Sequence, residues 1–388
     1  MTNSQKILLD LLKKGLFCVD VEIPDEVNWQ EVYEEANFQS VIPIVYDATV
    51  GIENIPQDVL KKLKAHTIAV MVNNDSVSKV QKEVCELLEK NKINYCILKG
   101  LSVARYYSKP ELRTLGDVDI LVSKTEFQKA KSLLFEKGYV LTEEENNYHC
   151  SFKKDGVIIE LHFCMSTFPD TKLGAKLKQT LEKATDSVKQ VSCIGSEFYS
   201  LDNFNQGVSL LLHIERHLIA DGIGFRQLLD FGVFAKETPE FMTNNENVDF
   251  LKKFGLYKLA VTCTDLMDKF FFGKQVESKT ADELFELSLK KGNFGVKRSQ
   301  EETYSNFDVE NKSKFAIINF FKYFKKRAKM TWDLAKKYPW LQNLGFIYLP
   351  IRHIFRVVFK RRKVDYKKIL ESNKEVYSLY NDLSIFKE

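Results

Sequence analysis

The sequence of 388 residues lacks several features that mark specialised classes of protein. Its seven cysteines occur without a Cys-x-x-Cys pair, which argues against a zinc site or a disulfide framework and favours a reducing compartment. No apolar stretch approaches the roughly 18 residues of a membrane-spanning helix. Asp10, Lys13 and Lys14 interrupt the first residues, so no signal peptide is expected. These absences predict a soluble, cytoplasmic protein without zinc and without a transmembrane segment.

Extremes of composition are also missing. Hydrophobic residues make up 44% of the chain and charged residues 28%, as in ordinary globular proteins. The formal net charge of +4 is too small to indicate nucleic-acid binding by the chain as a whole. No internal repeat or low-complexity tract is visible, and the length favours two or three structural units over one.

The most informative stretch covers residues 95–122. It opens with a short apolar run that predicts a buried strand, and Lys99 and Gly100 end this run. A short helix is expected at residues 101–107, after which Asp117 and Asp119 begin a second apolar strand. Because side chains alternate along a strand, the two carboxylates face the same side. Such a pair needs a cation between its members, and Mg²⁺ is the simplest candidate.

A third carboxylate is expected further along the chain. Glu160 interrupts an apolar run at residues 157–163 that predicts another strand. On neighbouring strands, Asp117, Asp119 and Glu160 would form a three-carboxylate site for Mg²⁺ or Mn²⁺, and we predict them as catalytic metal ligands. Such sites serve phosphoryl or nucleotidyl transfer. His162 faces the same side as Glu160, and both a structural and a catalytic role stay open for it.

The order of these motifs resembles the polymerase-β-like nucleotidyltransferase superfamily, and more narrowly its family of uncharacterised bacterial nucleotidyltransferases. The resemblance covers roughly residues 74–234 and rests on Leu-Lys-Gly at residues 98–100, Arg113, the Asp-Val-Asp strand and Glu160. The sequence departs from the wider superfamily in having Lys99-Gly100 instead of Gly-Ser or Gly-Gly, and a long gap between Gly100 and Asp117. Both departures fit the narrower family.

This resemblance implies an α+β fold, in which a polymerase-β-type core with a small mixed sheet is flanked by N-terminal and C-terminal helical regions. It implies Mg²⁺-dependent transfer of NMP from an NTP such as ATP to an acceptor, with release of pyrophosphate. The acceptor could be a small molecule, a tRNA end or a protein. The alternative is a non-catalytic protein that keeps the fold, binds nucleotide or nucleic acid, and docks through its basic tail.

Several residues are candidates for binding the NTP. Glycine at position 100 lets a phosphate approach the backbone, and Lys99 and Arg113 could neutralise its charge. The alternatives without a binding role are that Lys99 is a surface lysine and that Arg113 is a solvated loop arginine. Arg226 and Asp230 lie four residues apart on one predicted helix face, where they could contact substrate or pair with each other. The predicted nucleotide-binding residues are Lys99, Gly100, Ser102, Arg113, Arg226 and Asp230.

The chain divides into four predicted regions. They are an N-terminal helical region at residues 1–92, an α/β core at 93–170, a helical domain at 171–310, and a basic, aromatic-rich helical region at 311–388. Within the helical domain, a periodic segment at residues 206–220 carries His213 and His217. Their spacing suits a metal, but the glutamate of an H-E-x-x-H motif is missing and no adjacent cysteine completes a zinc site. The loop at residues 292–295 also resembles the family.

The C-terminal region has an uneven charge. Residues 315–363 hold 13 lysines and arginines against one acid, Asp333, with aromatic residues interleaved. Three interpretations stay open: a solvated helical face, a patch that binds RNA or DNA, and an interfacial helix at residues 349–363 on an anionic membrane. The expected partners are therefore an NTP, an unidentified acceptor and, through this segment, nucleic acid or a membrane surface.

Overall fold

The structure is a computed structural model. It describes residues 1–146, 148–169, 171–219, 222–296, 325, 328, 332–349, 351–352 and 366–387. The chain divides into two compact units, one formed by Met1–Lys297 with Leu379–Glu388 and the other by Arg298–Ser378. Among the described helices, none combines the length and apolar character needed to cross a membrane.

The unit Arg298–Ser378 contains much of the basic segment, and most of residues 315–363 lie outside the described part of the chain. Its described elements include the helix Asp333–Lys337 and the 3-10 helix Pro339–Leu344. Trp332 stacks on Tyr348 with ring centroids 3.9 Å apart. The predictions for the tail therefore stay predictions.

The N-terminal residues are helical, as predicted. The helices are α1 (Asn3–Phe17), α2 (Trp29–Phe38), α3 (Ile42–Ala48) and α4 (Gln57–Lys90). Helix α4 packs apolar side chains such as Val80, Val84 and Leu88 into the core beneath the sheet. Helix α4 continues through Asn74. The Asn74 side-chain amide donates to Glu111 O and Arg113 O at 3.0 and 2.9 Å, which fixes the loop that precedes the two aspartates.

Within the described residues, seven strands form one mixed sheet, which confirms the predicted α+β class with a mixed sheet. They are β1 (Tyr95–Ile97), β2 (Val118–Val122), β3 (Val140–Glu143), β4 (His149–Lys154), β5 (Val157–His162), β6 (Val188–Cys193) and β7 (Ser196–Leu201). Their order is β3-β4-β5-β2-β1-β7-β6. Strand β2 pairs antiparallel with β1 and parallel with β5, and the latter register places Asp119 opposite Glu160.

Strands β6 and β7 lie within residues 171–310, for which a helical domain was predicted. They form an antiparallel hairpin whose turn residues, Ile194 and Gly195, have φ of 48° and 71°. Positive φ at both central residues is what a type I′ hairpin turn requires. Both strands mix polar and apolar residues, so no apolar run reveals them in the sequence. The sheet therefore extends beyond residue 170.

Further helices lie between the strands and after the last strand along the chain. They are α5 (Leu101–Ala104), α6 (Phe127–Glu136), α7 (Lys172–Leu181), α8 (Asn203–Ile219), α9 (Phe225–Glu237), α10 (Glu240–Thr243), α11 (Asn245–Lys253), α12 (Tyr257–Phe270), α13 (Lys279–Lys291) and a final helix Tyr366–Asp382. Helices α8 and α9 are the two that matter for the site, because their side chains line the same cleft as the acids of β2 and β5.

Candidate active site

The three predicted carboxylates meet beside the parallel pair β2 and β5. Asp119 and Glu160 are register partners across this pair, and Asp117 lies two residues before Asp119. One ligand oxygen from each of the three lies within 4.8 Å of the others, close enough to share a divalent ion. Asp119 is 1% exposed, whereas Asp117 and Glu160 are partly exposed to the cleft. The fold thus brings the three predicted side chains together, and their catalytic role stays a prediction.

Two basic groups contact the most buried of these acids. Lys99 Nζ lies 2.9 Å from Asp119 Oδ1. His162 Nε2 lies 3.1 Å from the same oxygen and 3.2 Å from Glu160 Oε2. Both contacts compensate a negative charge that burial would otherwise penalise. Lys99 and His162 thus belong to the acid cluster, although contact of Lys99 with a substrate is not tested by this geometry.

The pKa values in the cluster shift in different directions. Burial by itself raises the pKa of Asp119, but Lys99 and His162 outweigh it and hold that pKa well below the ordinary range. The pKa of Asp117 is raised, first by the charge of Asp119 and then by burial. Burial by itself raises the pKa of Glu160, but the hydrogen bond with His162 outweighs burial, and the net pKa is lowered. Asp117 is therefore the carboxylate with the strongest need for an added positive charge.

Burial first lowers the pKa of Lys99, but the three carboxylates more than reverse this, and the net pKa is raised. The lysine is therefore positively charged at neutral pH.

A second set of metal-ligand atoms overlaps the acid cluster and consists of His149, Glu160 and His162, again within 4.8 Å of one another.

Arg113 and Asp230, both predicted to bind nucleotide, bind each other instead. The Arg113 Nε and Nη2 groups donate to the two Asp230 oxygens at 2.7 Å each. Tyr107 Oη donates to Asp230 Oδ1 at 2.7 Å, and Arg113 Nη1 donates to Gly100 O at 3.3 Å. Both charged side chains are about 2% exposed. Because both Asp230 oxygens accept hydrogen bonds from Arg113, Asp230 is not available to a ligand. Arg113 also orients the backbone carbonyl of Gly100.

The alternative in which Arg226 pairs with Asp230 on helix α9 is also corrected. Among the described residues, the Arg226 guanidinium has no hydrogen bond or ion pair, because Arg113 engages both Asp230 oxygens. Burial, and then the charge of Arg113, lowers the pKa of Arg226. Arg226 lines the cleft and is available to a ligand there.

Ser102 and Gly100 differ in their position relative to the cleft. The Ser102 side chain is completely buried, and its hydroxyl lies 2.6 Å from Ser200 Oγ and 2.7 Å from Gln206 Oε1. It therefore joins α5 to β7 and α8, and the prediction that it contacts nucleotide is corrected. Gly100 lines the cleft, and its φ of +61° lies in the region that favours glycine.

The cleft has an empty volume of about 660 Å³, open solvent included. Helices α8 and α9 and the loop after α13 contribute five side chains to the lining. These are His213, Arg216, His217, Arg226 and Phe294.

Sequence reasoning missed Arg216. Its Nη2 group donates to Tyr148 Oη at 2.8 Å, and its guanidinium lies 5.0 Å from the centre of that ring. The signal was available, because a helical period puts residues 213, 216 and 217 on one face. The spacing of the two histidines on this face had suggested a metal site, and the arginine beside them was not predicted as a candidate.

His213 and His217 are neutral groups in the folded protein at neutral pH. Burial, followed by the charge of Lys99, lowers the pKa of His213 far below its ordinary value and that of His217 to about 3. Their ring centroids are 4.4 Å apart. Neither belongs to a group of metal-ligand atoms within the described part of the chain, and the absence of zinc stays a prediction.

Comparisons with known proteins give this arrangement a class. A sheet that holds three clustered carboxylates in a cleft is consistent with a nucleotidyltransferase, and the family model described as "Uncharacterised nucleotidyltransferase" matches residues 25–272. The chain belongs to this family, which confirms the family predicted from the sequence.

Among solved structures, one match is the crystal structure of an antigenic nucleotidyltransferase-like protein from Paracoccidioides brasiliensis. The match has 13% identity and a TM-score of 0.34, and it covers 52% of this chain and 94% of that chain. At this score the match carries no argument about the site. No curated protein matches the sequence.

Proposed function

We propose that this protein is a metal-dependent enzyme that transfers NMP from an NTP to a hydroxyl or similar acceptor and releases pyrophosphate. The observation that carries the proposal is the cluster of Asp117, Asp119 and Glu160, with one oxygen of each within 4.8 Å of the others in a cleft. Hard carboxylate oxygens suit Mg²⁺ or Mn²⁺. Membership of the nucleotidyltransferase family supports the same reaction class.

The three acids would have different roles in metal binding. Asp117 and Asp119 would hold both ions, and Glu160 would hold the ion on the acceptor side. Such ions, when bound, lower the pKa of an acceptor hydroxyl and stabilise the leaving pyrophosphate. The raised pKa of Asp117 favours this assignment, because the carboxylate lacks a cationic partner of its own among the described residues.

The triphosphate would be held by groups on both sides of the cleft. Gly100 lets a phosphate approach the backbone, and Lys99 would exchange its contact with Asp119 for a phosphate oxygen. Arg226 is the arginine of the described lining with no hydrogen bond or ion pair, so we assign it the phosphate contact expected of Arg113. Arg113 and Asp230 would act as positioning residues for Gly100.

The alternative function is non-catalytic binding of a nucleotide. It is favoured by one contact: Lys99 Nζ at 2.9 Å compensates the charge of Asp119 without any metal. The two functions differ in their dependence on divalent ions. An enzyme of the proposed class requires Mg²⁺ or Mn²⁺ for NTP binding and turnover, whereas the non-catalytic protein binds nucleotide to its basic groups alone.

The test supplies each of the four NTPs with a label on the α-phosphate, together with Mg²⁺ or Mn²⁺ and fractionated cell extract. The proposal predicts transfer of label to one fraction by the full chain, none in the presence of a chelator and none by D117N. The labelled fraction identifies the acceptor as a small molecule, tRNA or protein. Binding of NTP that ignores the chelator, without transfer, would support the non-catalytic alternative.

A second proposal concerns the basic segment at residues 315–363. Its 13 basic residues against one acid cannot neutralise themselves, so we assign it a polyanionic partner and place the protein in the cytoplasm, with peripheral membrane contact as the alternative to RNA. In the full chain, the variant K360Q/R361Q/R362Q/K363Q should bind bulk tRNA more weakly, with a shallower salt dependence. Weaker binding to anionic vesicles alone favours the membrane, and unchanged binding in both assays contradicts the proposal.

A further inference from the structure

We infer that Phe294 is the platform on which the base of the NTP stacks. The inference rests on the proposed function, and it assigns the nucleoside end of the substrate to the loop at residues 292–295. The chemical class of the ligand on this side chain is an aromatic nucleobase.

The first observation is the exposure of Phe294. Its side chain lines the cleft and is 50% exposed, whereas Asn293 and Gly295 on either side are buried. Phenylalanine is among the residues most often buried in folded proteins. An aromatic ring half-exposed in the same cleft as the acid cluster offers a ligand a large apolar face.

The backbone of Phe294 supports the same conclusion. Its φ of 52° and ψ of 25° lie in the left-handed region, which is unfavourable for a residue with a bulky side chain. Strained backbone of this kind clusters at ligand sites, where the surrounding structure enforces it. In this loop the strain directs a ring away from the core and into the cleft.

The loop is held rigidly by its neighbours. A Cβ on Gly224 would lie 2.5 Å from Asn293 N, so the α8–α9 connection and the loop pack at a distance that only glycine allows. The Asn293 amide donates to Ser40 Oγ at 2.7 Å, and Gln227 Nε2 donates to Asn293 Oδ1 at 2.6 Å. Phe294 therefore projects from a fixed backbone, as a preorganised contact does.

The surroundings of the ring place it beside the proposed phosphate site. The Arg226 guanidinium carbon lies 5.9 Å from the Phe294 ring centre. The negative charge of Asp117 acts to raise the pKa of Arg226, so the two side chains interact electrostatically. The ring centroids of His217 and Phe294 lie 4.9 Å apart, with the two ring planes at 72°. A triphosphate held between the acids and Arg226 would thus have Phe294 next to the nucleoside. Stacking requires only a π-face, so the contact should serve all four bases.

The experiment compares two ligands that differ by the nucleoside. Full-length wild type, F294L and F294W are titrated with each of the four NTPs and with tripolyphosphate, in Mg²⁺ and without acceptor. Leucine keeps an apolar side chain and the strained backbone but has no ring. We expect F294L to weaken NTP binding by about fivefold to a hundredfold, to leave tripolyphosphate binding unchanged, and F294W to bind NTP as wild type does.

The outcomes separate this inference from the function on which it rests. The inference is wrong if F294L binds NTPs as tightly as wild type, or loses NTP and tripolyphosphate binding equally, while the function stands. If the wild type binds neither NTP nor tripolyphosphate, the proposed function itself fails.

Discussion

Asp119 and Asp230 are both buried and both paired with a cation, yet they sit in different surroundings. Asp230 receives two hydrogen bonds from Arg113 and one from Tyr107, so a single arginine balances its charge. Asp119 shares one oxygen between Lys99 and His162 and lies beside two further carboxylates. Both carboxylates are buried and ion-paired, and the surplus of negative charge in the cleft is what separates the proposed metal-binding cluster from the structural pair.

This difference has energetic consequences. The Arg113–Asp230 pair is bidentate and desolvated, so removal of either partner leaves a buried charge unpaired. In the cleft, by contrast, like charges repel, and removal of one carboxylate relieves part of that repulsion. Substitutions in the two regions should therefore separate stability from activity.

The largest expected effect concerns Asp117. D117N removes a proposed metal ligand, so the rate of transfer should fall about a thousandfold or more, because the activation free energy rises by several kcal/mol. The free energy of unfolding should stay unchanged or rise, because the raised pKa of Asp117 shows that its charged form is disfavoured in the fold. Transfer of labelled NMP and urea denaturation measure the two quantities. The control is D155N, at an exposed turn aspartate. Wild-type activity and Mg²⁺-dependent NTP binding in D117N would rule out the metal site.

The opposite pattern is expected at Arg113. R113A leaves Asp230 buried without its partner and should lower the free energy of unfolding by about 3–5 kcal/mol. R113K keeps the charge but loses the bidentate geometry, so its loss should be intermediate. The double variant R113M/D230L should be more stable than R113A, because it strands no charge. A free energy of unfolding for R113A within about 1 kcal/mol of wild type would contradict the structural role.

These two regions also show how far sequence reasoning reaches. Strand alternation fixed the common face of Asp117 and Asp119, and an interrupted apolar run located Glu160, so the acid cluster was predictable from local patterns. The partner of Arg113 was not, because 117 residues separate it from Asp230 and no local pattern encodes such a contact. The same holds for Ser102, whose burial depends on Ser200 and Gln206. The β6–β7 hairpin was missed because its strands carry no apolar run.

Glu160 gives a smaller effect within the cleft. If it holds only the ion on the acceptor side, E160Q should lower kcat about a hundredfold while the NTP dissociation constant changes far less. Single-turnover measurement of transfer and equilibrium titration of NTP separate the two quantities. E136Q, at an exposed position of α6, is the matched control. Normal turnover in E160Q would reduce Glu160 to a structural acid that orients His162.

The smallest effect concerns the contribution of His217 to the pH dependence of stability. Burial, and then Lys99, lowers the pKa of His217 to about 3, from an ordinary value near 6.5. A histidine whose pKa is lowered by folding favours the folded state fully above about pH 6.5, and this contribution is lost as the pH falls toward the folded pKa. The fold should therefore lose stability on acidification, and His217 should account for about 1.4 kcal/mol between pH 7.5 and 5.5.

The measurement of this last effect is urea denaturation at the two pH values for wild type and H217Q. The glutamine cannot titrate, so the loss on acidification should be smaller by that amount in the variant. Carboxylates contribute equally to both proteins and cancel in the comparison. H66Q is the control, because burial also lowers the pKa of the partly exposed His66, but burial covers less of that side chain and the change in slope should be smaller. Identical slopes for wild type and H217Q would mean that folding leaves the pKa of His217 near its ordinary value. The cleft wall would then gain a positive charge below about pH 6.5, and this charge would reduce the surplus of negative charge that distinguishes the cleft from the self-balanced pair of Arg113 and Asp230.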